Sequence, residues 1–122
     1  SIINGAIISI GYKCIQPPQG FNMNDPLAFK NAVSQMQALN FVFPFLAHAL
    51  GTWFASWIWS SLKQQATWMS SLGIAGVFFC GGLYMAIILD APIAFECFDL
   101  VYAYFPMAIL GYLCRIKTFQ RL

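Results

Sequence analysis

Apolar and polar positions in this chain separate into long runs rather than alternating. Leu39 to Ser60, LNFVFPFLAHALGTWFASWIWS, carries no formal charge. At about 1.5 Å of rise per residue it is long enough to cross a bilayer core of about 30 Å. A second uncharged run, about Thr67 to Leu89, follows the short SLKQQ loop, which forces it antiparallel to the first. Asp90-Ala91-Pro92 ends that run, and a third extends from about Cys97 to Cys114. The first apolar run, Ile2 to Ile10, is too short to cross alone and ends at Tyr12 and Lys13, which suit a headgroup boundary. Its mixture of apolar and small residues reads as the end of a longer helix, in preference to a half-embedded segment. No complete signal peptide is read at this end.

Between the first two runs the pattern changes period. Gln16-Pro17-Pro18-Gln19-Gly20 takes the chain out of a helix, and Asn24-Asp25-Pro26 starts another with a capping side chain followed by proline. From there Phe29, Ala32, Val33 and Met36 fall on one side, with Lys30, Asn31, Ser34 and Gln35 opposite. That spacing predicts an amphipathic helix over about 26–37, lying along a membrane surface; a solvated loop with the same period is the alternative. The predicted fold is all-α, an integral membrane four-helix bundle with an outer amphipathic helix. It forms one domain over residues 1–122, with spans at about 1–14, 39–60, 67–89 and 97–114.

Small residues mark where spans would meet. Ala47, Gly51 and Ala55 recur at four-residue spacing, Gly82 and Ala86 form a second such pair, and Gly76 with Cys80 a looser one. Close packing of the second and third spans is therefore expected. Pro44, in the first turns of its span, predicts a mild bend, and the central Pro106 a kink. Trp53, Trp57, Trp59 and Trp68 gather at one level, as indoles do at a headgroup boundary.

Composition fixes the solvent. Of the 122 residues 8% are charged and 60% hydrophobic, whereas a soluble domain carries roughly 25% charged residues. Lipid is the expected partner, and a net charge of +2 with scattered basic residues excludes a nucleic-acid surface. Lys63, Arg115, Lys117 and Arg121 share one side of a four-span topology, against Lys13 and Lys30 on the other. The excess puts the C-terminus in the cytoplasm. The acids Asp25, Asp90, Glu96 and Asp99 then fall on the outer side, the periplasm in a bacterium.

Few groups could carry chemistry. His48, the single histidine, lies near mid-bilayer, where an ionisable side chain is a functional candidate by default. It could relay protons, contact a substrate or ligate haem or a metal with Cys80, or simply bond to a neighbouring helix. Asp99 makes an acidic cluster with Asp90 and Glu96 at the outer mouth, suited to a cation or proton exchange. It would equally serve as an acid near the start of its helix. Cys14 and Cys97 fall at the same edge, so a disulfide between them is conceivable in an oxidising compartment. No Ser/His/Asp arrangement, phosphate loop or HExxH occurs, so no enzyme and no cofactor are expected.

Three stretches together, PPQGFNMNDPLAF, FPFLAHALGTWFASWIW and DLVYAYFPMAILGYL, resemble a group of small four-span bacterial inner-membrane proteins with no assigned activity. The likeness rests on Pro18, Gly20, Asp25 and Pro26; on Ala47, Gly51 and Thr52; and on Asp99, Pro106 and Gly111. It implies the fold and a bacterial inner-membrane location. The first functional expectation is a non-catalytic subunit or accessory protein, packed against a larger membrane assembly or a second copy. The rival is a small proton- or cation-coupled transporter or channel using His48 and Asp99.

Overall fold

The computed structural model describes residues 2–22, 24–63, 66–89 and 91–119, and among these the regular structure is entirely helical. The first helix, α1 (Ile2–Cys14), gives way to the proline-rich turn, where Gly20 sits at φ 84°, a left-handed conformation costly to any side chain. Asp25 then caps α2 (Pro26–Ser34): its carboxylate accepts from the N–H of Leu27 at 3.0 Å and of Ala28 at 3.3 Å. The helix closes earlier than its apolar period suggested, because the N–H of Gln35 turns back to the Ala32 carbonyl at 3.0 Å. Ala32 and Val33 are buried, with Phe29 and Met36 half-buried, so the expected apolar side is the covered one and the loop alternative falls.

A 3-10 turn, Ala38–Phe41, leads into α3 (Val42–Leu62), which runs unbroken through Pro44. Proline there removes a donor that has no partner in the first turn. The fourth helix, α4 (Trp68–Leu89), starts as the sequence predicts, with the Thr67 hydroxyl accepting from the Ser70 N–H at 3.4 Å.

The last apolar run departs from expectation. It begins directly after Pro92 and divides into α5 (Ile93–Tyr102) and α6 (Phe105–Phe119), separated by a turn at Ala103 and Tyr104. Pro106 accounts for the division: without an N–H it cannot bond the Tyr102 carbonyl, and its ring crowds that turn. The stretches Ala38–Leu62, Trp68–Leu89 and Ile93–Ile116 are each long and apolar enough to cross a membrane, whereas α1 is apolar but shorter. The chain is a membrane-type helical bundle.

Helix α3 is its axis, packed most extensively on α6, next on α1 and less on α4. Gly111 of α6 lies against the α3 backbone at the Trp53 carbonyl, and the Ser56 hydroxyl donates to the Ala108 carbonyl at 2.6 Å. On the α1 side Gly51 faces Asn4, and Gly11 faces Phe43. Toward α4 the buried hydroxyls of Ser60 and Ser71 meet at 3.5 Å. Close α3–α4 packing through glycine is thus not what forms. Ala47 and Gly51 are buried and Ala55 half-buried, but Gly51 serves α1. A side chain at Gly76 would meet nothing within 4 Å, Gly82 faces Tyr104, and Ala86 is a half-buried cavity residue. The reason is positional: α6 and α1 flank α3 and take its small-residue faces.

Candidate functional site

His48 stands in the second turn of α3, with the Thr52 hydroxyl donating to its backbone carbonyl at 2.8 Å. Its Nδ1 lies 2.7 Å from Oδ2 of Asp99, and the Tyr104 hydroxyl donates to the same oxygen at 3.3 Å. With Asp99 ionised, Nδ1 carries the shared proton and donates. The Asp99 side chain is almost enclosed at 7% exposure, whereas that of His48 keeps 27%. The Tyr104 and His48 rings stack with centroids 5.8 Å apart, and Phe79 closes the far side of Tyr104 edge-on.

Two backbone features assemble this cluster. Tyr104 lies in the turn between α5 and α6, from which its hydroxyl reaches Asp99. Gly82 of α4 leaves the room: a Cβ there would overlap the Tyr104 hydroxyl and come within 2.7 Å of ring carbon Cζ. The tyrosine, fully buried at 1% exposure, is both a core side chain and a polar partner.

Asp99 is therefore not an acid at a helix start. It sits in the second turn of α5, because that helix begins at Ile93 and not near Cys97; the acid in the first turn is Glu96. Asp90 lies outside the described residues, as does Arg121. Among the described residues no three groups of histidine, cysteine or acid converge as a metal set, and Cys80 is exposed on α4. Cys14 and Cys97 are both exposed and unbridged.

Two cavities meet at the cluster. One of about 160 Å³ is lined by aromatic and aliphatic side chains together with His48, Glu96 and Asp99. A second, of about 330 Å³, is bounded by Asn4, Val77, Phe78, Gly81 and Tyr104. His48, Gly82 and Met85 belong to the walls of both. Among the described residues, Oδ1 of Asp99 and Oε1 of Glu96 are buried without a hydrogen-bond partner. Unsatisfied buried acceptors are rare and costly, and these two oxygens have almost no surface open to either cavity.

The residue types of the site were readable from the sequence, but Tyr104 was not singled out. Nor was the row Thr52, Ser56 and Ser60, which α3 buries at four-residue spacing. Hydroxyl residues repeating every turn inside an uncharged span are the signal that finds such a face. No protein-family model, curated protein or solved structure matches this chain. The likeness to four-span bacterial proteins rests on its motif residues alone.

Proposed function

We propose that the chain is a non-enzymatic, multi-pass membrane protein that passes protons, or a small cation, through the His48–Asp99–Tyr104 cluster. The observation that carries this reading is that His48 walls both cavities while bonded to a buried carboxylate. An imidazole can take a proton on one nitrogen and release one from the other. Asp99 offsets the charge of the imidazolium, Tyr104 holds the carboxylate, and Glu96 supplies a carboxyl on the wall of the smaller cavity.

In proteoliposomes carrying an internal pH dye, an imposed potential should acidify the lumen. His48→Ala and Asp99→Asn should each slow that flux at least tenfold, with Tyr104→Phe slowing it less. Wild-type flux no faster than that of empty liposomes would sink the proposal.

The same reading takes α1 as the fourth span. It sets the loop at Lys63 and the end of α6 in the cytoplasm, in a bacterial inner membrane. Arg115 Nη2 donates to the Lys63 carbonyl at 3.5 Å, which supports putting these two basic residues on one side.

A specific observation favours the accessory-subunit reading as the second. α4 has the highest mean hydropathy of the long helices, 2.2, and only 6% of its apolar window is buried. Lipid, another membrane protein or a second copy would cover it. The mass of the intact particle in native nanodiscs separates these: a different protein in the particle supports a subunit, whereas the chain alone removes that support.

A further inference from the structure

The imidazole of His48 has a second nitrogen, and that atom gives the larger cavity a ligand. We propose that this cavity binds a lipid-soluble phenol whose hydroxyl donates to Nε2 of His48. The inference deepens the conduction reading and rests on it, because a hydroxyl in that place stands where a proton is handed to the imidazole.

Asp99 fixes the chemistry of the ring. With the carboxylate ionised and accepting from Nδ1 at 2.7 Å, the neutral imidazole keeps its lone pair on Nε2. No donor among the described residues reaches Nε2. Unlike Oδ1 of Asp99 and Oε1 of Glu96, however, this atom is not sealed off by burial, and the side chain keeps 27% exposure. His48 walls both cavities, so it offers them one acceptor of fixed tautomer. In the hydrocarbon of a bilayer an acceptor without a donor is costly.

The cavity decides what carries the donor. It lies between α1 and α4, which scarcely touch, and Val77 and Gly81 on its wall are exposed, so it opens sideways toward lipid. Val77, Phe78, Met85 and the Tyr104 ring make the wall mostly carbon, which suits a hydrophobic body arriving through the bilayer. One acceptor asks for one donor. An ammonium would leave further N–H bonds unmet, because the unpartnered oxygens of Glu96 and Asp99 are enclosed. A carboxylic acid would pass its proton to the imidazole and leave a second carboxylate near Asp99, in hydrocarbon. A hydroxyl brings no charge. On an aromatic ring it is acidic enough to be a strong donor, and the ring can lie against Phe78 and Tyr104. About 330 Å³ is twice the roughly 150 Å³ of a cavity that holds benzene, which leaves room for two fused rings.

The probe is 4-fluoro-1-naphthol, added to the full chain in nanodiscs with its histidine isotope-labelled for nitrogen NMR. His48 is the single histidine, so its two ring nitrogens give the only imidazole signals. The naphthol should bind saturably above the level of empty nanodiscs by fluorine NMR. It should move the Nε2 signal toward that of a hydrogen-bonded nitrogen, and Nδ1 much less. The ether 1-fluoro-4-methoxynaphthalene has no proton to donate, so it should bind at least tenfold more weakly and leave Nε2 unmoved. Gly81→Leu fills the cavity from α4, at a position where an added Cβ meets nothing within 4 Å, and should weaken naphthol binding at least tenfold. No saturable binding, binding that leaves Nε2 unmoved, an ether as tight as the naphthol, or undiminished binding by Gly81→Leu would each overturn the assignment. Proton flux without naphthol binding overturns it while leaving conduction standing, and naphthol binding at Nε2 without flux does the reverse.

Discussion

One oxygen of Asp99 accepts from two side chains and the other from none among the described residues, so the carboxylate is held but not satisfied. Its worth to the fold depends on which partner is lost. A hydrogen bond to a charged group contributes about 1.5–3 kcal/mol. Asp99→Ala removes the bonds to His48, which keeps 27% exposure, and to Tyr104, and is expected to cost about 3 kcal/mol. Tyr104→Phe removes a single bond of 3.3 Å and should cost about 1 kcal/mol. Reversible unfolding in mixed micelles checks both. The double variant His48→Ala with Asp99→Ala should lose less than the sum of the singles, and strict additivity would mean the two do not act as a pair. His48 and Asp99 were visible in the sequence as candidates, but their union was not. Placing the helix start near Cys97 rather than at Ile93 misjudges depth by four residues, about 6 Å at 1.5 Å each. Tyr104 was hidden by geometry too. Five residues on from Asp99 in a continuous helix it would point about 140° away, so helical spacing alone did not pair the two.

At the scale of helices, glycine position separates contacts from open surface. Gly111 lies on backbone: a Cβ there would meet the Trp53 carbonyl and stand 3.1 Å from both Ser56 Cβ and Trp57 N. Backbone in the middle of α3 cannot yield as a flexible side chain does. Gly111→Ala should therefore part α3 from α6 and cost about 1–3 kcal/mol, as overpacking does. Gly76→Ala meets nothing within 4 Å and should be neutral or stabilise by up to about 1 kcal/mol through better helix propensity. Thermal unfolding of the two variants side by side is the measurement. A Gly76→Ala loss as large as that of Gly111→Ala would show that α4 packs through glycine after all. The sequence marked both as small residues, yet spacing along one helix says nothing about which neighbour stands opposite. That α6, and not α4, lies deepest against α3 depends on Gly111 meeting Ser56, a pairing between residues far apart in the chain.

For the whole molecule, the question is how the bundle sits across a bilayer. The long apolar runs were legible because lipid selects them by length and charge, and three of the four expected spans are helical stretches of sufficient length, the last across the turn between α5 and α6. The first is shorter, so whether it crosses decides only on which side α1 begins. Counting α1 does not alter the relation between α2 and the loop after α3, since α3 alone separates them. Asn31 is exposed on α2 and Lys63 exposed just beyond α3, its ammonium 5.2 Å over the Trp59 ring at that end. In a background without cysteines, Asn31→Cys and Lys63→Cys should react with a membrane-impermeant maleimide from opposite faces of sealed vesicles. Labelling of both from one face would mean that α3 does not cross, and the four-span arrangement would fail with it. If they do label oppositely, Ile2→Cys at the start of α1 tests the remaining span. Protection from the face that labels Asn31→Cys, with reaction from the face that labels Lys63→Cys, is the outcome a crossing α1 requires. Reaction from the Asn31 face would make α1 a half-embedded helix, and Asn4, which walls the larger cavity, would then lie within reach of that side.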